Sequence, residues 1–247
     1  MIAVSIVSHG HGAMVERLVD TMLAFPEVSR ILVTRNIPET LQLKADARIE
    51  LIDNALPKGF GENHNAAFLH CQEAYFCPLN PDIELLNNPF PGLVAVLESA
   101  GAGLAAPLVT APSGAVEDSM RHFPTPFSLA KKALGRGDGR YVVVAGQAPF
   151  FPEWVAGMFM LFRREAFAKL HGFDERYFLY YEDVDICLRA WMAGEKVVAC
   201  PAVGVVHDAQ RDSRKSLRHL RWHLASMARF FLLHYGRFPG VPVRELP

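Results

Sequence analysis

Residues 2–12 read Ile2-Ala3-Val4-Ser5-Ile6-Val7-Ser8-His9-Gly10-His11-Gly12, with Met14, Leu18, Met22 and Leu23 following at helical spacing. The first seven are mostly apolar and rich in β-branched side chains, as a strand buried on both faces requires. Two glycines then free the backbone to turn. The spacing of the later apolar residues gathers them on one face of a helix. Strand, glycine turn and helix together open an α/β unit.

The same alternation continues outward. Residues 30–34 and 49–52 read as strands, Lys58-Gly59-Phe60-Gly61 as a turn, and residues 63–75 as a helix. Tyr75–Leu79 reads as a fourth strand ending at Asn80-Pro81-Asp82, residues 89–99 as a helix and 103–109 as a strand. This order predicts a mostly parallel, Rossmann-like sheet with helices on both faces. Such sheets bind ligands at the carboxyl ends of their strands, so the loops leaving Ser8, Thr34, Asp53 and Asn80 form the expected binding edge. Residues 110–150, broken by Pro112, Pro124, Pro126, Gly135, Gly137 and Gly139, read as an excursion around a short basic helix at 129–134. Order resumes at 154–162 and a helix follows at 164–170. Next comes the acidic block Phe178-Leu179-Tyr180-Tyr181-Glu182-Asp183-Val184-Asp185, then short strands at 196–200 and 203–206, and a basic helical stretch at 213–235.

The chain has 247 residues and a net charge of -1, so no global field draws it to nucleic acid or to an anionic surface. Its cysteines, Cys71, Cys77, Cys187 and Cys200, form no C-x-x-C pair and sit in apolar segments, as buried thiols in a reducing compartment do. The opening residues lack a basic region preceding an apolar one, and no apolar run approaches the length that spans a bilayer. A cytoplasmic location is the expectation.

Five constellations could carry chemistry. Asp82 follows a strand, where its oxygens could hold a divalent cation against a diphosphate; Asn-Pro-Asp is also an ordinary turn. Gly59, Gly61, Asn63 and Asn65 precede or open a helix, where backbone could approach an anion; asparagine also caps helices. Glu182, Asp183 and Asp185 follow three aromatics at a helix start. Crowding there can displace a carboxyl pKa, although the dipole favours acids at that place in any helix. His207 ends a strand and could ligate a metal; a lone histidine, like His9, His11, His64 or His70, is more often only hydrogen-bonded. Arg211, Arg214, Lys215, Arg218, Arg221 and Arg229 alternate with leucines and aromatics, giving either a membrane-surface helix or a packed helix with a solvated basic face.

Taken in order, Val4 to Ser8, Gly59 to Asn65, Leu79 to Asp82, Trp154 to Leu161, Gly172-Phe173-Asp174-Glu175, Glu182 to Asp185 and Val205-Val206-His207 resemble the family 2 inverting glycosyltransferases, in particular their rhamnosyltransferase-like subgroup. The resemblance implies a GT-A fold over residues 1–236. Residues 1–110 would form the nucleotide-sugar half, 150–210 the acceptor and catalytic half, and 211–236 a basic amphipathic helix. It implies Asp183 as catalytic base with Glu182 beside it, and Asp82 with His207 on Mn²⁺ or Mg²⁺. It also implies Ser8, Asn36, Gly59, Gly61, Asn65, Asn80, Trp154 and Gly157 around the donor. The donor would be a dTDP- or UDP-sugar, and the acceptor a saccharide or lipid-linked saccharide of bacterial surface polysaccharide synthesis. Nucleic acid is no partner, and the basic C-terminal helix is the one sequence feature that supports peripheral contact at the inner membrane face. Ser8-His9-Gly10-His11 and Thr34-Arg35-Asn36 depart from the family's usual strand ends. That departure keeps a second reading open, a non-catalytic relative that only binds nucleotide sugar. A nucleotidyltransferase would need basic residues in the first glycine loop, and none occurs before Arg17.

Overall fold

The computed structural model describes residues 1–208 and 217–241. The elements run β1 (Ile2–Ser8), α1 (Ala13–Met22), β2 (Val28–Arg35), β3 (Ile49–Asp53), α2 (Phe60–Phe68), β4 (Tyr75–Leu79), β5 (Ile83–Glu84), α3 (Phe90–Ser99), β6 (Ala102–Thr110), β7 (Met120–Arg121), α4 (Pro126–Ala133), β8 (Trp154–Val155), β9 (Leu161–Arg163), α5 (Arg164–Lys169), α6 (Glu182–Met192), β10 (Lys196–His207) and α7 (Leu217–His234). Eight strands form one sheet in the order β3-β2-β1-β4-β9-β6-β10-β5, and β7 pairs with β8. The large sheet is mostly parallel; β9 and β5 run against their neighbours.

Alternation along β1 divides the core. Ile2, Val4 and Ile6 face α1 and α3, while Ala3 packs on the face carrying α2, α5, α6 and Phe230 of α7. The parallel strands all end at one edge, so Ser8, Arg35, Asp53, Leu79, Thr110 and His207 come to the same side of the sheet. All four cysteines are free and buried. Among the described residues no helix is long and apolar enough to cross a membrane.

Several boundaries differ from the sequence expectation for physical reasons. The helix expected at 63–75 begins at Phe60 and ends at Phe68. Its glycines do not form a turn ahead of it: Gly59 is the cap and Gly61 lies inside. Leu69, His70 and Cys71 donate N–H three residues back, which tightens and ends the helix. The two short strands expected at 196–206 are one, β10, carrying a bulge between Cys200 and Gly204. The basic helix in the excursion spans Pro126–Ala133. Arg211, Arg214 and Lys215 lie outside the described residues.

The acidic block does not form a solvated helix start. Glu182 and Asp185 are buried and Asp183 is half-buried. Asp185, 1% exposed, accepts from Arg189 Nε at 2.6 Å and from His234 Nε2 at 2.7 Å. Arg189 also donates to the carbonyls of Leu170 and Gly172. One carboxylate thereby joins α6, α7 and the turn before the acidic block. Replacing Asp185 by Ala leaves a half-buried guanidinium and a buried imidazole without this acceptor. Chemical denaturation should show a loss of about 3 kcal/mol or more.

Candidate active site

Two groups of side chains gather at the carboxyl edge of the sheet. The first is built by pairing β5 against β10, which sets Ile83 opposite His207 and lets Asp208 donate N–H to the Asp82 carbonyl. His207 Nε2 then lies 3.1 Å from Asp82 Oδ2. On the other side, a turn at Ala111–Gly114 folds the chain back so that Glu117 donates N–H to Val109 O. Glu117 Oε2 reaches His207 Nδ1 at 2.7 Å. Burial opposes charging of His207, but hydrogen bonds to and charge on Asp82 and Glu117 outweigh it and raise its pKa. Asp82 Oδ1 is buried without a hydrogen-bond partner.

The second group surrounds Asp183. β7 and β8 pair Arg121 with Trp154, and the guanidinium sits 5.7 Å from the indole centroid. Two residues past β8, Gly157 donates N–H to Asp183 Oδ2 at 3.0 Å, and Val184 donates to Oδ1 at 2.8 Å. Asp183 and Glu182 open into a cleft of about 240 Å³ walled by Arg121, His122, Trp154, Tyr180, Tyr181 and His223, with Ser128 and Leu129 of α4 at one side. Burial raises the Asp183 pKa; the two N–H groups and Arg121 offset only part of that. Burial and the adjacent Asp183 charge push Glu182 higher still, and its Oε2 has no hydrogen-bond partner. The pair therefore holds one negative charge more readily than two. Tyr180 and Tyr181 both take the left-handed conformation, φ 70° and 69°, which is uncommon for residues bearing a side chain.

The remaining residues singled out in the sequence fall elsewhere. Ser8 is buried below the β1 loop. In that loop Gly10 and Gly12 donate N–H to Glu39 at 3.1 and 3.2 Å. Asn36 is 6% exposed. Its amide is engaged by Lys58 N, Lys58 O, Asn54 and His9, and Asn54 in turn donates to Asn63. Asn80 donates its N–H to Met158 O. Gly59 and Gly61 have a different neighbour from the ligand anticipated for them. A Cβ on Gly59 would sit 2.7 Å from Phe178 O, and one on Gly61 2.7 Å from Phe173 Cβ. Asn65 exchanges two hydrogen bonds with the Phe173 backbone, at 2.8 and 2.9 Å. These three residues hold α2 against the 172–178 turn. His64 is a core histidine: Ser5 Oγ lies 2.8 Å from its Nδ1, and burial lowers its pKa to about 3.

A family model described as glycosyl transferase family group 2 matches residues 93–235. The rhamnosyltransferase WbbL of Escherichia coli K12 is 31% identical over 245 residues, covering 93% of this chain and 92% of its own length. The chain is a family 2 glycosyltransferase. An N-acetylglucosaminyl-diphospho-decaprenol L-rhamnosyltransferase of Mycobacterium tuberculosis is 32% identical over 191 residues, 67% of this chain and 57% of that protein. Among solved structures, GalNAc-T7 with UDP, GalNAc and Mn²⁺ superposes with TM-score 0.69 at 17% identity, over 86% of this chain and 44% of the other. The Pyrobaculum calidifontis mannosyltransferase PcManGT with GDP-Man and Mn²⁺ gives 0.62 at 14% identity, over 96% and 65%. These likenesses identify the GT-A fold.

Sequence reasoning overlooks four residues around the two candidate groups and the β1 loop of this glycosyltransferase: Glu39, Glu117, Arg121 and His223. Glu39, Glu117 and Arg121 sit in irregular segments or two-residue strands, where no periodicity marks a position. His223 was hidden among the basic residues of α7. The state of Glu182 is testable. A carboxyl whose pKa is raised on folding destabilises the fold as pH climbs past its unfolded value. Glu182→Gln should therefore exceed the parent in unfolding free energy at pH 8. The gap should close toward pH 4, by about 1.4 kcal/mol per unit of pKa difference.

Proposed function

We propose that the chain transfers a hexosyl group, rhamnose in the first instance, from a dTDP- or UDP-sugar to a saccharide or lipid-linked acceptor, with inversion, in bacterial surface polysaccharide synthesis. The observation that carries the reading is Asp183: a carboxylate with raised basicity, aimed into a cleft by two backbone N–H groups. The names of the two rhamnosyltransferase relatives support the sugar, and the mycobacterial one supports an acceptor that is a diphospho-lipid saccharide.

Asp183 takes the proton of an acceptor hydroxyl as that oxygen bonds to the anomeric carbon and the bond to the diphosphate oxygen breaks. Of the two neighbouring carboxyls Asp183 is the better place for the pair's negative charge, since it accepts two backbone N–H groups while Glu182 Oε2 has no hydrogen-bond partner. Trp154 forms a wall against which a sugar ring can stack, and Gly157 orients the base. Ser8, Asn36 and Asn80 shape the donor side of the sheet edge, while Gly59, Gly61 and Asn65 support it through α2. Residues 1–236 are taken as one catalytic unit, working on the cytoplasmic side with α7 toward the inner membrane face.

Asp82 and His207 fit a divalent cation, Mn²⁺ or Mg²⁺. Asp82 Oδ1 is buried with no hydrogen-bond partner, which leaves an oxygen for such a cation beside the His207 imidazole. Among the described residues no group of three or more His, Cys, Asp or Glu is arranged to hold a metal by itself. The donor diphosphate and water would complete the shell. When bound, the cation supplies charge to offset that of the leaving nucleoside diphosphate. Glu117 accepts Nδ1–H of His207 and so leaves Nε2 free for the cation.

Asp183→Asn should lower kcat by about 10²–10⁴-fold while calorimetric donor affinity stays near that of the parent; undiminished turnover would sink the assignment. Asp82→Ala should instead weaken donor binding in Mn²⁺ and lose the difference between titrations with and without the ion. The acid limb of kcat/KM should fall above the ordinary aspartate range, since Asp183 must be ionised to act and burial raises its pKa.

A further inference from the structure

Two surface helices are rich in exposed apolar groups and poor in acids. Phe127 of α4 and Leu134, one residue past its end, are 69% and 71% exposed, and the Lys131 ammonium lies 4.5 Å from the Phe127 ring centroid. Phe127, Lys131 and Leu134 fall on one helical face. On α7, Leu217, Leu220, Leu224 and Leu232 are exposed along the side opposite the buried Ser226, Phe230 and His234. Arg218 and Arg221 are exposed beside those leucines. No Asp or Glu occurs from residue 119 to 137 or from 213 to 244, although the whole chain carries a net charge of -1. Both helices border the cleft that holds Asp183, α4 through Ser128 and Leu129, and α7 through His223.

We propose that α4 and α7 form one two-pronged docking surface for an anionic lipid bilayer, set on either side of the Asp183 cleft. The inference rests on the lipid-linked acceptor reading and extends it from α7 to the excursion. Apolar side chains that no core covers, interleaved with cations and free of acids, match an interface of acyl chains below anionic headgroups. Membrane binding strengthens with the apolar area buried and with attraction to anionic lipid, so two contacts hold better than one. Two prongs across one opening would present a membrane-held acceptor to the base.

Vesicle sedimentation of the full chain tests this, with phosphatidylcholine alone or mixed with phosphatidylglycerol. Binding should require the anionic lipid and weaken with salt. Phe127→Asp with Leu134→Asp should reduce it about tenfold or more. Because neither residue lines the cleft, that variant should keep its transfer rate to a water-soluble acceptor. Hydrogen exchange of the unchanged protein should show residues 126–136 protected on adding anionic vesicles. Equal binding to neutral vesicles, unchanged binding of the double variant, or no protection of that segment would each overturn the proposal. Binding is read without donor or acceptor, so a failure of sugar transfer counts against the proposed reaction alone.

Discussion

Asp185 is the buried charge on which α6, α7 and the 170–172 turn are hung. A carboxylate removed from water is tolerated only with charged or hydrogen-bonding partners close by, and Asp185 has Arg189 on its own helix and His234 from α7. Arg189 reaches on to the carbonyls of Leu170 and Gly172, so the turn that enters the acidic block is held by the same ion pair. Asn65 grips that turn from α2. Two residues before Asp185 along the helix, Asp183 inherits its position from this network. The geometry of the cleft thus depends on a salt bridge that lies outside it.

Along the sheet edge the constraint is different. Strand order alone brings Leu79, Thr110 and His207 to one side, and a two-residue pairing, β5 on β10, closes the last few ångströms between Asp82 and His207. Glu117 completes the arrangement from a turn rather than from a regular element. The imidazole sits between two carboxylates, where it can carry a proton or, on losing that from Nε2, offer a lone pair.

The parts of this design that were legible in the sequence are those with a period. β1, α1, β4 and β6 announce themselves by β-branched runs, helical spacing and the turn residues that bound them, and with them the shared carboxyl edge of the sheet. Asp82, Asp183 and His207 stood out because each ends or starts such an element. Asn65, Gly59 and Gly61 stood out as well, but their packing against neighbours 108 to 119 residues further on was not readable. Strands of two residues have no alternation to detect, which hid β5, β7 and β8 and the residues they place. Asp185 could not be told from a solvated acid without knowing that His234 returns to meet it.

Residues 117–121 carry two duties within a single turn's length of chain. Glu117 props His207, and Arg121 stands over Trp154 in the cleft, with Ser119 between them accepting the N–H of Ala156. Within β7 the two side chains take opposite sides, Met120 going into the core and Arg121 outward. Adding or removing one residue would reverse that alternation and send the guanidinium inward. The turn before Glu117 has no such bookkeeping. Length variation should therefore be absorbed at 111–115 and refused at 117–121, a rule of spacing rather than of residue type.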